Sequence, residues 1–228
     1  MGSLEGVRVM ITSGPTRGYI DAVRYISNKS TGKLGTVIAT ELLKSGASVT
    51  FVYGMGSSIP DVALLDKGCA GRLILIEVET IDDLLTTVQE KLKGNLFDAI
   101  IHAMAVLDYV PETQSSDKTP SDKDKLVVTF VKTPKIIKLM RNLWPHAFFI
   151  SFKLEVGLSQ DALIERAYAS LLENSADLVV ANNQDEIAGE KHRAYLINLH
   201  KKIEFRCETK QDIAENLANR ISKQHDKY

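Results

Sequence analysis

The chain has 228 residues, 44% of them hydrophobic and 25% charged, which is an ordinary globular composition with length for a substantial core. Its formal net charge of −1 gives no overall attraction for nucleic acid or an anionic membrane, and no apolar run approaches the roughly 18 residues that span a bilayer. Cys69 and Cys207 match no metal or redox spacing, and Met1–Gly6 fits neither a signal peptide nor a myristoylation pattern, so a cytoplasmic protein without nucleic-acid or membrane partners is expected.

Val7–Thr12 reads as the first strand. A helix over Thr31–Ser45 follows, with Leu34, Val37, Ile38 and Leu42 on one stripe and Gly46 where a helix-ending glycine belongs. Strands are expected at Ser48–Tyr53 and Leu73–Glu77, then a helix at Ile81–Leu92 capped by Thr80. Ala99–Ala103 is apolar on both faces, as a central parallel strand would be. The alternation then breaks. Residues 106–131 hold a polar stretch, Glu112–Lys125, between strand-like flanks at Val110 and Leu126–Val131, which reads as a flap or dimerisation arm outside the main sheet. Beyond it come a helix at Thr133–Leu143, a strand at Ala147–Phe152, a helix at Ser159–Asn174 and a strand at Asp177–Ala181. Arg193–Asn198 and Lys202–Cys207 form a hairpin candidate, and Ile213–Ile221 sits in a closing helix capped by Thr209. This order predicts an α/β fold: one domain over 1–228 with a doubly wound, mostly parallel, Rossmann-like sheet, an antiparallel excursion and a C-terminal hairpin.

The connection from the first strand to the first helix is the most telling stretch. A crossover loop needs two to six residues, and Ser13–Ser30 uses about eighteen. It holds Gly14, Pro15 and Gly18, with Gly32 and Gly35 just beyond, among the polar or cationic side chains of Thr16, Arg17, Arg24, Asn28, Lys29, Ser30, Thr31 and Lys33. Glycine-rich turns and helix N-termini present backbone N–H groups to anionic oxygens, so a phosphorylated ligand is expected here. Neither a Walker loop nor a dinucleotide fingerprint is present, because Gly32-Lys33 runs into Leu34 and the glycines are wrongly spaced.

The string resembles the opening of the phosphopantothenate–cysteine ligases, also called phosphopantothenoylcysteine synthetases. Those enzymes carry a GPT loop, a D-x-V-R-x-I-[ST]-N segment and an S-[ST]-G-[KR]-x-G turn; here these are Gly14-Pro15-Thr16, Asp21 to Asn28, and Ser30 to Gly35. Further matches follow in order: His102–Pro111 to their A-A-V-[AS]-D-[FY]-x-P turn, Val131–Ile136 to a helix start, Ile150–Glu155 to a nucleotide-side strand end, and Leu178–Asn182 to their V-V-A-N strand end. No flavin-dependent decarboxylase segment precedes these matches, so the resemblance is to a stand-alone form.

The resemblance implies amide formation between phosphopantothenate and L-cysteine, a step of coenzyme A biosynthesis. It proceeds through an acyl-nucleotide, with CTP or ATP as co-substrate, Mg²⁺ on the triphosphate and a homodimeric enzyme. Asn28, Lys153 and Asp108 are the implied catalytic residues, with Asn28 donating to an oxygen on which charge develops. Gly14, Thr16, Arg17, Arg24, Ser30, Thr31, Gly32, Lys33, Ala105, Lys132, Phe152, Leu154 and Asn182 would bind substrate or nucleotide, and Glu155 is the metal candidate. His102 reads as a satisfied buried histidine. Two departures matter. The stretch Tyr168–Ala176 has no Lys or Arg where bacterial members place a lysine-rich run, and Lys153, Arg166 or Lys191 could replace that charge. Phe152-Lys153-Leu154 also stands where bacterial members have small residues, which leaves CTP and ATP both open. The competing readings are an inactive relative acting as a binding protein, and an NAD(P)-dependent oxidoreductase.

Overall fold

A computed structural model describes residues 3–65, 67–122 and 124–225. Lys123 of the expected flap, and Met1 and Gly2 at the start, lie outside the described residues. In chain order the first elements are β1 (Arg8–Ser13), β2 (Arg17–Tyr19), β3 (Tyr25–Ser27), α1 (Lys33–Lys44), β4 (Ser48–Gly54), α2 (Lys67–Ala70) and β5 (Leu73–Val78). Next come α3 (Ile81–Thr86), β6 (Ala99–His102), β7 (Tyr109–Pro111), β8 (Phe130–Lys132), α4 (Ile136–Leu143) and β9 (Phe148–Glu155). The chain closes with α5 (Gln160–Glu173), β10 (Leu178–Ala188), β11 (Lys191–Asn198), β12 (Ile203–Thr209) and α6 (Lys210–His225).

Eight strands share one sheet in the order β12-β11-β10-β9-β6-β1-β4-β5. Every pairing from β10 to β5 is parallel, while β11 and β12 add antiparallel neighbours at one edge. Side chains alternate between two cores, as a pleated strand dictates. Val9, Ile11, Ala99, Ile101, Ile150, Leu178 and Val180 pack beneath α1 and α6. Met10, Ile100, Phe149 and Val179 pack beneath α3, α4 and α5. The chain winds outward from β1 through β4 to β5, then crosses back to β6 on the other side of β1. The sheet therefore splits between β1 and β6, and ligands of open α/β sheets bind at such switch points.

Local chemistry sets the helix ends. Thr80 and Asp83 form a reciprocal capping box on α3, Ser159 accepts from the Ala162 amide at α5, and Thr209 accepts from the Asp212 amide at α6. The helix expected over Ile81–Leu92 continues past Thr86 as a π turn over Thr87–Lys91. That expected from Thr133 begins only at Ile136, because the Thr133 hydroxyl donates to the Leu107 carbonyl at 2.7 Å and Pro134 follows.

Two stretches read as loops are strands. The segment after Ala181 stays in β10 as far as Ala188 and turns directly into β11. Its residues are polar because they border a crevice, so the alternation that marks a half-buried strand is missing. Within the long first connection, β2 and β3 pair as a hairpin whose tyrosines, Tyr19 and Tyr25, meet edge to face at 5.8 Å. The excursion is antiparallel as expected: β7 and β8 pair Tyr109 with Lys132 and Pro111 with Phe130. Among the described residues no helix is long and apolar enough to cross a membrane.

Asp21 ties these outlying pieces together. Its buried carboxylate accepts from the Val23 and Arg24 amides at 2.9 Å, the Arg24 guanidinium at 2.8 Å and the Thr119 amide at 3.2 Å. The hairpin is thereby bound to the flap. Those bonds, the Val23 amide first, hold the Asp21 carboxyl down to about 2. A folded-state pKa below the unfolded value of about 3.9 means the contribution is complete above about pH 4 and is lost as pH falls toward 2. Thermal unfolding of Asp21→Asn against the parent protein should therefore show a gap in Tm at pH 7 that narrows between about pH 4 and 2. A gap independent of pH would remove Asp21 as the acid-sensitive tie.

Candidate functional site

The chain leaves β1 at Ser13 and must turn within a space too narrow for side chains. Gly14 has φ +77°, and a Cβ there would come within 2.0 Å of the Ser57 hydroxyl. A Cβ on Gly35 would come within 2.2 Å of the Ser13 hydroxyl, so glycine lets α1 sit directly on the end of β1. Ser13 in turn donates to the Gly32 carbonyl at 3.1 Å. The loops leaving β1 and β6 are then zipped together. The Ala105 amide donates to the Gly14 carbonyl at 2.8 Å, and the Leu107 amide donates to the Thr16 hydroxyl at 3.0 Å. Asn28 closes the seam, its Nδ2 donating to the carbonyls of Ala105 at 3.0 Å and Val106 at 3.3 Å.

A crevice of about 530 Å³ opens at this seam, on the α1 and α6 side of the sheet. The structure brings Gly14, Asn28, Ser30, Thr31, Gly32, Lys33, Ala105, Phe152, Leu154 and Asn182 to its wall. Helix α1 points its start into the same space. Its N-cap is Gly32, with φ +74°, no side chain caps it and no acid stands in its first turn. The first-turn amides and the positive end of the helix dipole therefore have no internal anion. Lys29, Lys33 and Lys210 add positive charge, and no aspartate or glutamate lines the crevice among the described residues.

Other expected site residues lie elsewhere. Thr16 is buried and holds the seam. Arg17 bonds Glu79 at 2.7 Å and the Met55 carbonyl at 3.2 Å and stacks over Tyr25, on the rim of a separate cavity of about 200 Å³ that Lys132 also lines. Tyr19 donates its hydroxyl to the same Glu79 carboxylate. Arg24 is engaged by Asp21. Asp108 is exposed and pairs with Lys135 at 2.7 Å. Lys153 and Arg166 both bond Glu155 at 3.3 Å, so the carboxylate expected to hold a metal has two cations against it. Among the described residues no group of His, Cys, Asp and Glu could hold a metal ion.

Sequence reasoning missed His192 and Lys210, which reach the crevice from the beginnings of β11 and α6. Lys210 donates to the Gly189 carbonyl at 2.8 Å and has no carboxylate partner among the described residues. His192 is buried beside Asn182, and burial together with the Lys210 charge pushes its imidazole down to about 4. His102 sits at the end of β6 with Nδ1 2.7 Å from the Thr12 hydroxyl, and burial likewise pushes it down to about 4. Both rings are neutral near pH 7. The only sequence signal for His192 is a buried-face position on a strand, which cannot reveal a crevice built by tertiary contacts.

Several known proteins are similar to this chain. The bifunctional coenzyme A biosynthesis protein CoaBC of Thermococcus kodakarensis is 37% identical over 97% of this chain, which spans 52% of that protein. The chain thus spans about half the length of the curated relatives it matches. A solved DNA/pantothenate metabolism flavoprotein from Streptococcus pneumoniae superimposes with a TM-score of 0.84 at 31% identity, covering 96% of this chain and 100% of that one. The fold is also that of Cab2 solved in complex with phosphopantothenate-cysteine, with a TM-score of 0.78 at 20% identity over 97% of this chain and 89% of the other. Residues 4–225 match the model of the DNA/pantothenate metabolism flavoprotein C-terminal domain, and the chain belongs to that family.

Proposed function

We propose that the crevice binds a nucleoside triphosphate and that the chain joins phosphopantothenate to L-cysteine through an acyl-nucleotide, as a ligase of coenzyme A biosynthesis. The observation that carries this reading is the acid-free crevice: Lys29, Lys33 and Lys210 surround it and the uncapped start of α1 opens into it. Such a wall suits a polyanion. The names of the relatives support the same substrates, since one is a coenzyme A biosynthesis protein and one was solved with phosphopantothenate-cysteine.

In this reading a carboxylate oxygen of phosphopantothenate attacks the α-phosphorus and pyrophosphate leaves. The cysteine amine then attacks the acyl carbon, the nucleoside monophosphate departs, and the amine loses one proton. Two anions must approach each other in the first step. The lysines and the first-turn amides of α1 offset that repulsion, and Phe152 and Leu154 bound the base. The side chains present do not form a protein-held Mg²⁺ site, so the ion enters only as the companion of the triphosphate, and no step is assigned to it. CTP and ATP both fit a wall without a second charged reader. Pyrophosphate release with phosphopantothenate, L-cysteine, Mg²⁺ and either nucleotide should give turnovers within about 10³-fold of each other, roughly 4 kcal/mol. A larger preference would end the permissive reading, and no turnover with either would end the ligase reading.

Asn28 holds the seam with both amide hydrogens, so donation to the acyl-nucleotide requires it to exchange one of these bonds. Asn28→Asp removes both donors and sets a carboxylate beside two carbonyl oxygens and the phosphates. The variant should still bind nucleotide, more weakly beside the new charge, and should lose roughly 10²–10³-fold in kcat. Near-normal turnover at saturating substrates would take Asn28 out of the chemistry.

The flap reads as the arm of a homodimer, with 1–228 as one domain. Val127 is 86% exposed, and Tyr109, Leu126, Phe130 and Val131 add apolar surface beside it. Sedimentation at micromolar concentration should give a dimer, and Val127→Asp should weaken it; a monomeric parent protein would refute the arrangement.

A further inference from the structure

Asn182, one residue before the parallel pairing of β10 with β9 ends, and His192, at the start of β11, are each only 6% exposed and both border the crevice. The Asn182 Nδ2 lies 3.0 Å from the His192 Nε2. An amide nitrogen has hydrogens to give and no lone pair to offer, so Nε2 accepts and the ring proton resides on Nδ1. The ring is neutral near pH 7, held so by burial and by the Lys210 charge, which keeps the Nε2 lone pair available. The bond leaves two buried atoms without a partner, Asn182 Oδ1 and His192 Nδ1. Buried polar atoms are nearly always paired in a complete structure, and two orphans on residues of the crevice wall point to a ligand that supplies a missing partner.

We propose that His192 is a positioning residue: by accepting from Asn182 it fixes the carboxamide so that Oδ1 is the acceptor offered to the exocyclic amine of a nucleobase. The proposal rests on the reading that the crevice binds a nucleotide. Adenine and cytosine carry that amine where hypoxanthine and uracil carry a carbonyl. A fixed Oδ1 therefore favours ATP over ITP and CTP over UTP, because a carbonyl facing it would leave both oxygens unpaired. Without His192 the amide is free to turn, Nδ2 can serve the carbonyl bases, and the preference fades. A pair that merely bridges β10 and β11 would show no such link between a histidine and base choice.

Equilibrium binding of ATP, ITP, CTP and UTP to the full chain by calorimetry reads this directly, without requiring turnover. The parent protein should favour ATP over ITP and CTP over UTP by about tenfold or more. His192→Ala should bring both ratios within about threefold of one. His192→Gln, whose Oε1 can accept from the same amide, should restore most of the preference. If His192→Ala does not fold, Asn182→Ala must flatten the same ratios. Equal affinities in the parent protein, or parent-like ratios in His192→Ala, overturn the proposal while leaving nucleotide binding intact. Failure to bind any of the four overturns the nucleotide reading and the proposal together. Selective binding without product formation removes the ligase reading alone.

Discussion

The seam between the β1 and β6 loops is the constraint on which the rest of the site depends. Adjacent parallel strands whose connections leave in opposite directions would leave a gap at their ends. Here the gap is spanned by the Gly14 carbonyl, the Thr16 hydroxyl and the Asn28 amide, each bonded to the segment Ala105–Leu107. Net hydrogen bonds contribute only about 0.5–1.5 kcal/mol apiece, yet each buried group left unpaired would cost about 1–3. The crevice is what remains when two loops are closed upon one another and α1 is pressed against their edge.

The glycines follow from that closure. Gly35 brings the start of α1 onto Ser13, Gly14 clears Ser57, and Gly32 takes a left-handed conformation at a helix start that no side chain caps. A Ser or Asp cap at Gly32 would add only about a few tenths of a kcal/mol over glycine, would strain this left-handed backbone beside Ser57, and would occupy the amides now open to an anion. The sequence forgoes that stabilisation at α1 while α3, α5 and α6 all have side-chain caps. Helix α4 also starts without a side-chain cap, and the open start of α1 is set apart by lying at the crevice.

The sheet was legible because parallel strands buried on both faces and helices with one apolar stripe follow from hydrophobic periodicity alone. What failed to show were the parts whose pattern is set by a neighbour. Asn182 and Gln184 interrupt the apolar run of β10 because they reach the crevice, and Asn183 because it bonds Gly157 and Leu158, so a continuous strand looked like a loop. Tyr19 and Tyr25 support β2 and β3 through each other and through Arg17, not through a core. Of the site, the glycine turn and the loop after β6 could be read from their order along the chain. His192 and Lys210 could not, since each is placed by a strand pairing or a helix start far from the motif.

Counting cations in the motif also gave the wrong inventory for the crevice, and the reason is electrostatic. Two unit charges about 4 Å apart interact by roughly 4 kcal/mol at an effective dielectric near 20, so one free carboxylate at the rim would oppose a phosphate about as strongly as one lysine attracts it. The crevice wall carries no acid among the described residues, and several acids outside it are neutralised in place. Arg17 faces Glu79, Arg24 faces Asp21, Lys135 faces Asp108, and Lys153 with Arg166 faces Glu155. Among them are Arg17 and Arg24, which a sequence reading assigns to ligand binding, Asp108 and Lys153, which it assigns to catalysis, and Glu155, which it assigns to a metal, because it cannot subtract pairs formed in space. The positive field inside the crevice belongs to Lys29, Lys33 and Lys210, which have no carboxylate partner among the described residues. Attraction for an anion thus rests on the unpaired lysines of the crevice and the open start of α1, while the paired cations Arg17 and Arg24 border other cavities and are engaged by their own acids.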